Sequence, residues 1–261
     1  MLYHKVYKNA NSEEWIVLIH GAGGSSSIWF KQIRALKQHF NVLLVDLRGH
    51  GKSKDAFPNP KDMNYSFNDV SQDVLEVLNH LNIQSAHFMG VSLGTIIIRT
   101  IAELDLSKLK SMVLCGAITR FNTRSQFLMK LAGLVRKLIP FIWLYTVYAY
   151  ILMPKKRNKE PRSMFIQEAA KIRRAEYLRW FRLTIEVNPL LRYFNEKDIP
   201  VPTLYVMGDE DYMFLPQVKN LVKKHQCATL EVVENCGHVC NVEQPDVFNQ
   251  LSVAFLQNHS G

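Results

Sequence analysis

Cysteine is scarce in this chain: Cys115, Cys227, Cys236 and Cys240 are four residues among 261. That number excludes a dense disulfide framework, which a chain of this length does not need in order to bury a core. A leader pattern is missing as well. The opening "MLYHKVYKNANSEEW" has no basic segment running into an apolar one and no small-residue cleavage site, so we expect a cytoplasmic protein. No apolar run reaches the roughly 20 residues of a bilayer crossing. The longest, "LIPFIWLYTVYAYILM" from Leu138 to Met153, has Pro140 near one end and basic flanks, Arg136-Lys137 and "PKKRNK", on both sides. Internal repeats and low-complexity tracts are absent too.

Acidic residues are sparse in one region. Between Thr119 and Pro200 there are 17 Lys and Arg against 6 Asp and Glu, a balance of +11 within a chain whose total is +9. The remainder is therefore slightly acidic, at −2. Basicity confined to one segment, with no recognisable nucleic-acid module in it, leads us to expect no nucleic-acid partner. A weak contact of that segment with an anionic membrane surface is the other implication of its charge.

Short runs rich in Val, Ile and Leu recur at 15–20, 41–47, 85–91, 110–116, 202–208 and 228–234. Lacking strict alternation, they suit strands buried on both faces of a mostly parallel sheet. Amphipathic segments at 27–38, 69–81, 93–104, 214–224 and 245–258 predict the covering helices, an α/β series. The series breaks at 117–200, which reads as a helical insert. The turn-rich spots "GAGGSS", "RGHGKSKDAFPNP" and "GDEDYMFLP" follow proposed strands, on the edge of a parallel sheet where ligands bind.

In "HFMGVSLGTIII" a serine stands between two glycines where a strand gives way to a helix. G-x-S-x-G in that setting forms a tight elbow that exposes Ser92 and aims the Leu93 N–H at developing negative charge. A serine hydroxyl needs a base, and His238, in "ENCGHVCNVEQP" after the last strand, is the best placed of the nine histidines. The imidazole needs a carboxylate, and "VMGDEDYM" offers Asp209, Glu210 and Asp211 without chemistry choosing among them. The loop "HGAGGSSS" supplies a second oxyanion donor, the Ala22 N–H. That loop lacks the G-K-[ST] ending and the G-x-G-x-x-G spacing of phosphate cradles.

With these residues assembled, the chain resembles the α/β-hydrolase fold superfamily, in particular its lidded, carboxylesterase-like serine hydrolases. The resemblance runs from about Glu14 onward and rests on "HGAGGSSSIW", "DLRGHGKS", "GVSLG", "GDEDYM" and "GHVCNVEQPDVFNQLSVAFL" in the expected order. It implies an α/β-hydrolase fold with a helical lid inserted after the family's strand β6, a core at 1–118 and 199–261, and a lid at 119–198. It further implies Ser92 as nucleophile, Asp211 as the acid, His238 as base, and Ala22 and Leu93 as oxyanion amides. The loop bearing Asp46, Arg48, Gly49, His50, Gly51 and Ser53 is usually structural. Two departures stand out: Thr95 replaces a small residue after the elbow and should tighten helix packing, and only "YHKVY" precedes the first recognised strand, so the N-terminal antiparallel hairpin should be trimmed.

The implied chemistry is hydrolysis of a carboxylic ester or related acyl bond of a small, partly apolar substrate through an acyl-serine, with no cofactor and no metal. Cys236 and Cys240 flank His238 but lack a second ligand pair, and read as small buried thiols. Phe141, Trp143, Tyr145 and Tyr148 are the lid residues expected to line an apolar pocket. Hydrolysis of a carbon–carbon bond, or perhydrolysis, uses the same triad in relatives, and a slow ligand-sensing role on the same scaffold is the reading from another class.

Overall fold

A computed structural model describes residues 1–54, 65–121, 123–135 and 138–260. The tail of the proline-rich stretch beyond Lys54 and the Arg136-Lys137 flank lie outside the described residues. Seven strands form one sheet in the order β1-β3-β2-β4-β5-β6-β7. They are β1 (His4–Tyr7), β2 (Trp15–Ile19), β3 (Asn41–Val45), β4 (Ala86–Val91), β5 (Leu109–Cys115), β6 (Thr203–Gly208) and β7 (Ala228–Val233). All neighbours run parallel except β1, which lies antiparallel to β3 with His4 opposite Val45. The N-terminal hairpin is thus represented by one antiparallel strand, and the family's β6 is the fifth strand here.

Central strands are buried on both faces: every residue of β3, β4 and β6 is buried. That is why they read as continuous apolar runs instead of alternating ones. The helices are α1 (Ile33–Leu36), α2 (Phe67–His80), α3 (Leu93–Leu104), α4 (Thr123–Val135), α5 (Phe141–Leu152), α6 (Lys159–Ala169), α7 (Arg174–Ile185), α8 (Asn188–Glu196), α9 (Leu215–Val222), α10 (Cys240–Glu243) and α11 (Pro245–Gln257). α2 opens on a capping box, with the Asp69 N–H bonded to Ser66 Oγ and the Ser66 N–H to the Asp69 carboxylate. The helix predicted at 27–38 is instead a 3₁₀ turn at Ser26–Trp29 followed by the single turn of α1. Its first residues are serines, and Ser25 Oγ accepts the Ser27 N–H, a local bond that competes with regular helix.

Helices α4 to α8 fill the insertion between β5 and β6. Pro140 precedes α5 as its N-cap, so the proline in the apolar run starts that helix and does not break it. The insertion builds a small core of its own from Tyr145, Ala169, Ile172, Tyr177 and Phe181. Among the described residues no helix is long and apolar enough to cross a membrane.

Candidate active site

Chain geometry isolates Ser92. Its backbone has φ +54° and ψ −120°, a region that side-chain-bearing residues rarely occupy, between the end of β4 and the start of α3. Such an elbow needs α3 to pass very close to the sheet. A Cβ on Gly94 would stand 2.4 Å from the Ile19 carbonyl oxygen and 2.8 Å from that of His20, both backbone atoms that cannot swing aside. Gly94→Ala is therefore expected to destabilise the fold by about 1–3 kcal/mol, lowering Tm by roughly 3–10 °C in a thermal melt. Thr95, which sequence assigned to helix packing, does more: its hydroxyl donates to the Ser92 carbonyl at 2.6 Å and braces the elbow.

From the elbow a hydrogen-bonded run leads inward. His238 Nε2 lies 2.9 Å from Ser92 Oγ, and His238 Nδ1 lies 2.7 Å from Asp211 Oδ2. Asp211 also accepts the Phe214 N–H through Oδ1 at 3.2 Å, which fixes the carboxylate plane. His238 and Asp211 are buried, and the Phe214 ring packs 5.3 Å from the imidazole. The two other acids of "GDED" go elsewhere. Asp209 accepts the Cys236 N–H at 3.1 Å, and Glu210 pairs with Lys155 and Arg157.

Sequence reasoning did not single out Glu243. From the single turn of α10 its carboxylate accepts the Gly237 N–H at 2.9 Å and the Val239 N–H at 3.2 Å, the two amides on either side of His238. The buried Asn158 side chain, at the foot of α6, donates to the same carboxylate. The one available signal was an acid five residues after the histidine; the lid contact had none.

Two buried histidines brace the glycine-rich loop opposite Ser92. His50 accepts the Gly23 N–H at 3.1 Å, which leaves its other nitrogen to donate to the Arg48 carbonyl at 3.0 Å. His20 accepts the Leu47 N–H at 3.0 Å and donates to the Gly21 carbonyl at 2.8 Å. Burial, with His20 alongside, lowers His50 to about 3, and burial lowers His20 as well, so both rings are neutral near pH 7. Asp46 binds the Ser26 and Lys52 amides at 2.7 and 2.8 Å, and Arg48 grips Asp73 with two bonds at 2.6 and 2.7 Å. The "DLRGHGKS" loop is scaffold throughout.

Ser92 opens into a cavity of about 240 Å³, beside Ala22 and Leu93. Among the described residues no Lys, Arg, Asp or Glu lines it; apolar and aromatic side chains of α4, α5 and α7 do. Of the four lid aromatics expected there, Tyr145 and Tyr148 line it, and burial pushes both phenols up, so they carry no charge. Phe141 and Trp143 do not. Phe141 stacks on Tyr177 at 5.1 Å, and Trp143, two residues before Tyr145, lies on the opposite side of α5 and is exposed. Trp180, missed in the sequence, lines the cavity and donates its indole N–H to the Arg48 carbonyl at 3.2 Å.

Residues 16–251 match the sequence profile of the alpha/beta hydrolase family. The chain belongs to that family. Among alpha/beta hydrolases it is 26% identical over 254 residues to 3-oxoadipate enol-lactonase 1 of Acinetobacter baylyi, covering 93% of this chain and 88% of the relative. The enol-lactonase of Burkholderia xenovorans superposes with a TM-score of 0.79 at 23% identity, over 98% of this chain and 96% of that one. A hydrolase from Oleispira antarctica gives 0.84 at 20% identity, over 98% and 94%. The described residues of this alpha/beta hydrolase contain no group of three or more His, Cys, Asp and Glu placed to hold a metal ion. Cys115, Cys236 and Cys240 are buried free thiols, and their mutual hydrogen bonding, together with burial, raises Cys240 well above the usual thiol range.

Proposed function

We propose that this alpha/beta hydrolase cleaves carboxylic esters, lactones among them, that carry an apolar moiety, through an acyl-serine intermediate. The observation that carries this reading is the hydrogen-bonded run from Asp211 through His238 to Ser92, ending at the floor of an apolar cavity. In the proposed cycle His238 Nε2 takes the Ser92 Oγ proton as Oγ bonds the acyl carbon, and Asp211 stabilises the imidazolium from Nδ1. The carbonyl oxygen gathers charge next to the Ala22 and Leu93 amides; Leu93, first in its helix, has one of the N–H groups without an intrahelical partner. His238 then protonates the departing alkoxide. Water, deprotonated by His238, attacks the acyl carbon in turn, and Oγ leaves with that proton.

The cavity lining favours apolar ligands over charged ones. Among the described side chains lining the cavity, an acid-bearing lactone of the kind named for the Acinetobacter relative would find no cation for its carboxylate. Labelling with a fluorophosphonate tests the reading. One adduct is expected, located on Ser92 by mass spectrometry and lost in Ser92→Ala. A series of p-nitrophenyl esters should then show kcat/KM rising roughly fourfold per added methylene until the chain reaches the mouth. Folded wild-type protein that takes no label would overturn the proposal.

A further inference from the structure

Two lid helices hold apolar faces out to solvent. On α4, Phe127, Leu131 and Leu134 recur at i, i+4 and i+7, and on α5, Trp143, Val147 and Tyr150 do the same. Leu134 is 76% exposed, Trp143 66%, and Leu138, between the helices, 82%. These are not two separate stripes. Leu128 and Leu131 of α4 and Val147 and Ile151 of α5 are exposed and also line the cavity that ends at Ser92, so both stripes meet at one mouth. A monomer seldom leaves so large an apolar patch uncovered.

Charge selects what covers it. α5 has no charged residue, yet Lys130 on α4 and Lys156 and Lys159 beyond its C-terminus are exposed, within a segment whose balance is +11. A second copy of this chain would bring the same positive segment against itself. An anionic lipid surface complements both the apolar stripes and the surrounding lysines. The geometry suits such a surface. A 12-residue helix is about 18 Å long, too short to span a bilayer but able to lie in its headgroup region. Trp143 and Tyr150 are residue types that favour that depth.

We propose that the outer face of α4 and α5 docks on an anionic lipid bilayer, with Phe127, Leu134, Leu138 and Trp143 inserted and the cavity mouth opening into the lipid. Docking stands on this surface alone; its consequence, entry of a lipid-borne ester into the cavity directly from the membrane, rests on the function proposed above. The test separates the two by using Ser92→Ala protein, which has no turnover to confuse binding. The protein is sedimented with phosphatidylcholine vesicles, with and without phosphatidylglycerol, and Trp143 emission is followed against a Trp143→Phe control.

We expect binding to the phosphatidylglycerol vesicles with a blue shift that Trp143→Phe removes, weakened roughly tenfold by high salt or by Lys130→Glu/Lys156→Glu. Phe127→Ser/Leu134→Ser/Trp143→Ser, three exposed positions outside the cavity lining, should weaken binding tenfold or more while circular dichroism stays unchanged. No sedimentation with the anionic vesicles overturns the proposal, as does unaltered binding by the triple variant. A dimer in light scattering that the triple variant dissociates would also overturn it, by assigning the face to a second copy. Wild-type protein that docks but hydrolyses no ester would sink the enzymatic reading alone.

Discussion

Ser92→Ala should lower kcat/KM on an activated ester by about 10⁵-fold or more, and Asp211→Asn should lower kcat by about 10⁴-fold, with both proteins folded. On the proposed function, the first change removes the oxygen that forms the acyl intermediate. The second keeps the volume of a buried side chain and its acceptor for the Phe214 N–H, but leaves His238 facing a neutral group at Nδ1. The imidazole then loses both the bond that selects its tautomer and the charge that stabilises its protonated form. Asp209→Asn is the internal control. Asp209 lies only two residues away, yet it bonds the Cys236 amide and not the imidazole. Steady-state kinetics with a thermal melt on each variant decides the matter. If Asp211→Asn stayed within about tenfold of wild type while Asp209→Asn lost activity, Asp211 would not be the acid partner.

Acid should unfold this protein through its histidines. Burial holds His50 at about 3 and His87 at about 4, and lowers His20, whereas in the unfolded chain each titrates near 6.5. Below about pH 6.5 the unfolded state therefore takes up protons that the folded state refuses. Stability is complete above that value and falls as pH drops, by about 1.4 kcal/mol per pH unit for each group, until the folded group itself titrates. His50 and His87 together predict a loss of about 4 kcal/mol between pH 7 and 5. Glu210 extends the loss at lower pH: burial raises it, but Lys155 and Arg157 together outweigh burial and keep it lowered. Urea midpoints measured from pH 8 to 4.5 test the slope. His87→Gln, which can still bond Ser111 and Ser260, should remove about a third or more of it. A flat profile across that range would show that these rings are protonated in the folded protein.

How much of this was legible beforehand differs from feature to feature. Strands buried on both faces announce themselves as unbroken apolar runs, so β2 to β6 could be located from hydrophobicity alone, whereas β7, a largely exposed edge strand, showed itself only by its Leu- and Val-containing run. β1, "HKVY", could not, because it is short and only partly buried, and its place is set by pairing with β3. The serine elbow was readable because its requirements are local: two glycines, a strand before and a helix after.

By itself the sequence determined the α/β frame, the elbow at Ser92, the single well-placed histidine, and the concentration of positive charge in the insert. Each follows from short-range sterics, from periodicity, or from counting. Chemistry left Asp209, Glu210 and Asp211 open and the family resemblance pointed to Asp211, but only tertiary structure shows which of them faces His238, because three adjacent carboxylates differ in the direction the turn gives them. Structure alone also separated Tyr145 and Tyr148 from Phe141 and Trp143, since α5 is apolar all round and its composition holds no record of which side meets the cavity. The tie from Asn158 through Glu243 to the His238 loop joins residues 85 positions apart. Such a contact exists only once the lid is packed on the sheet, and no local pattern encodes it.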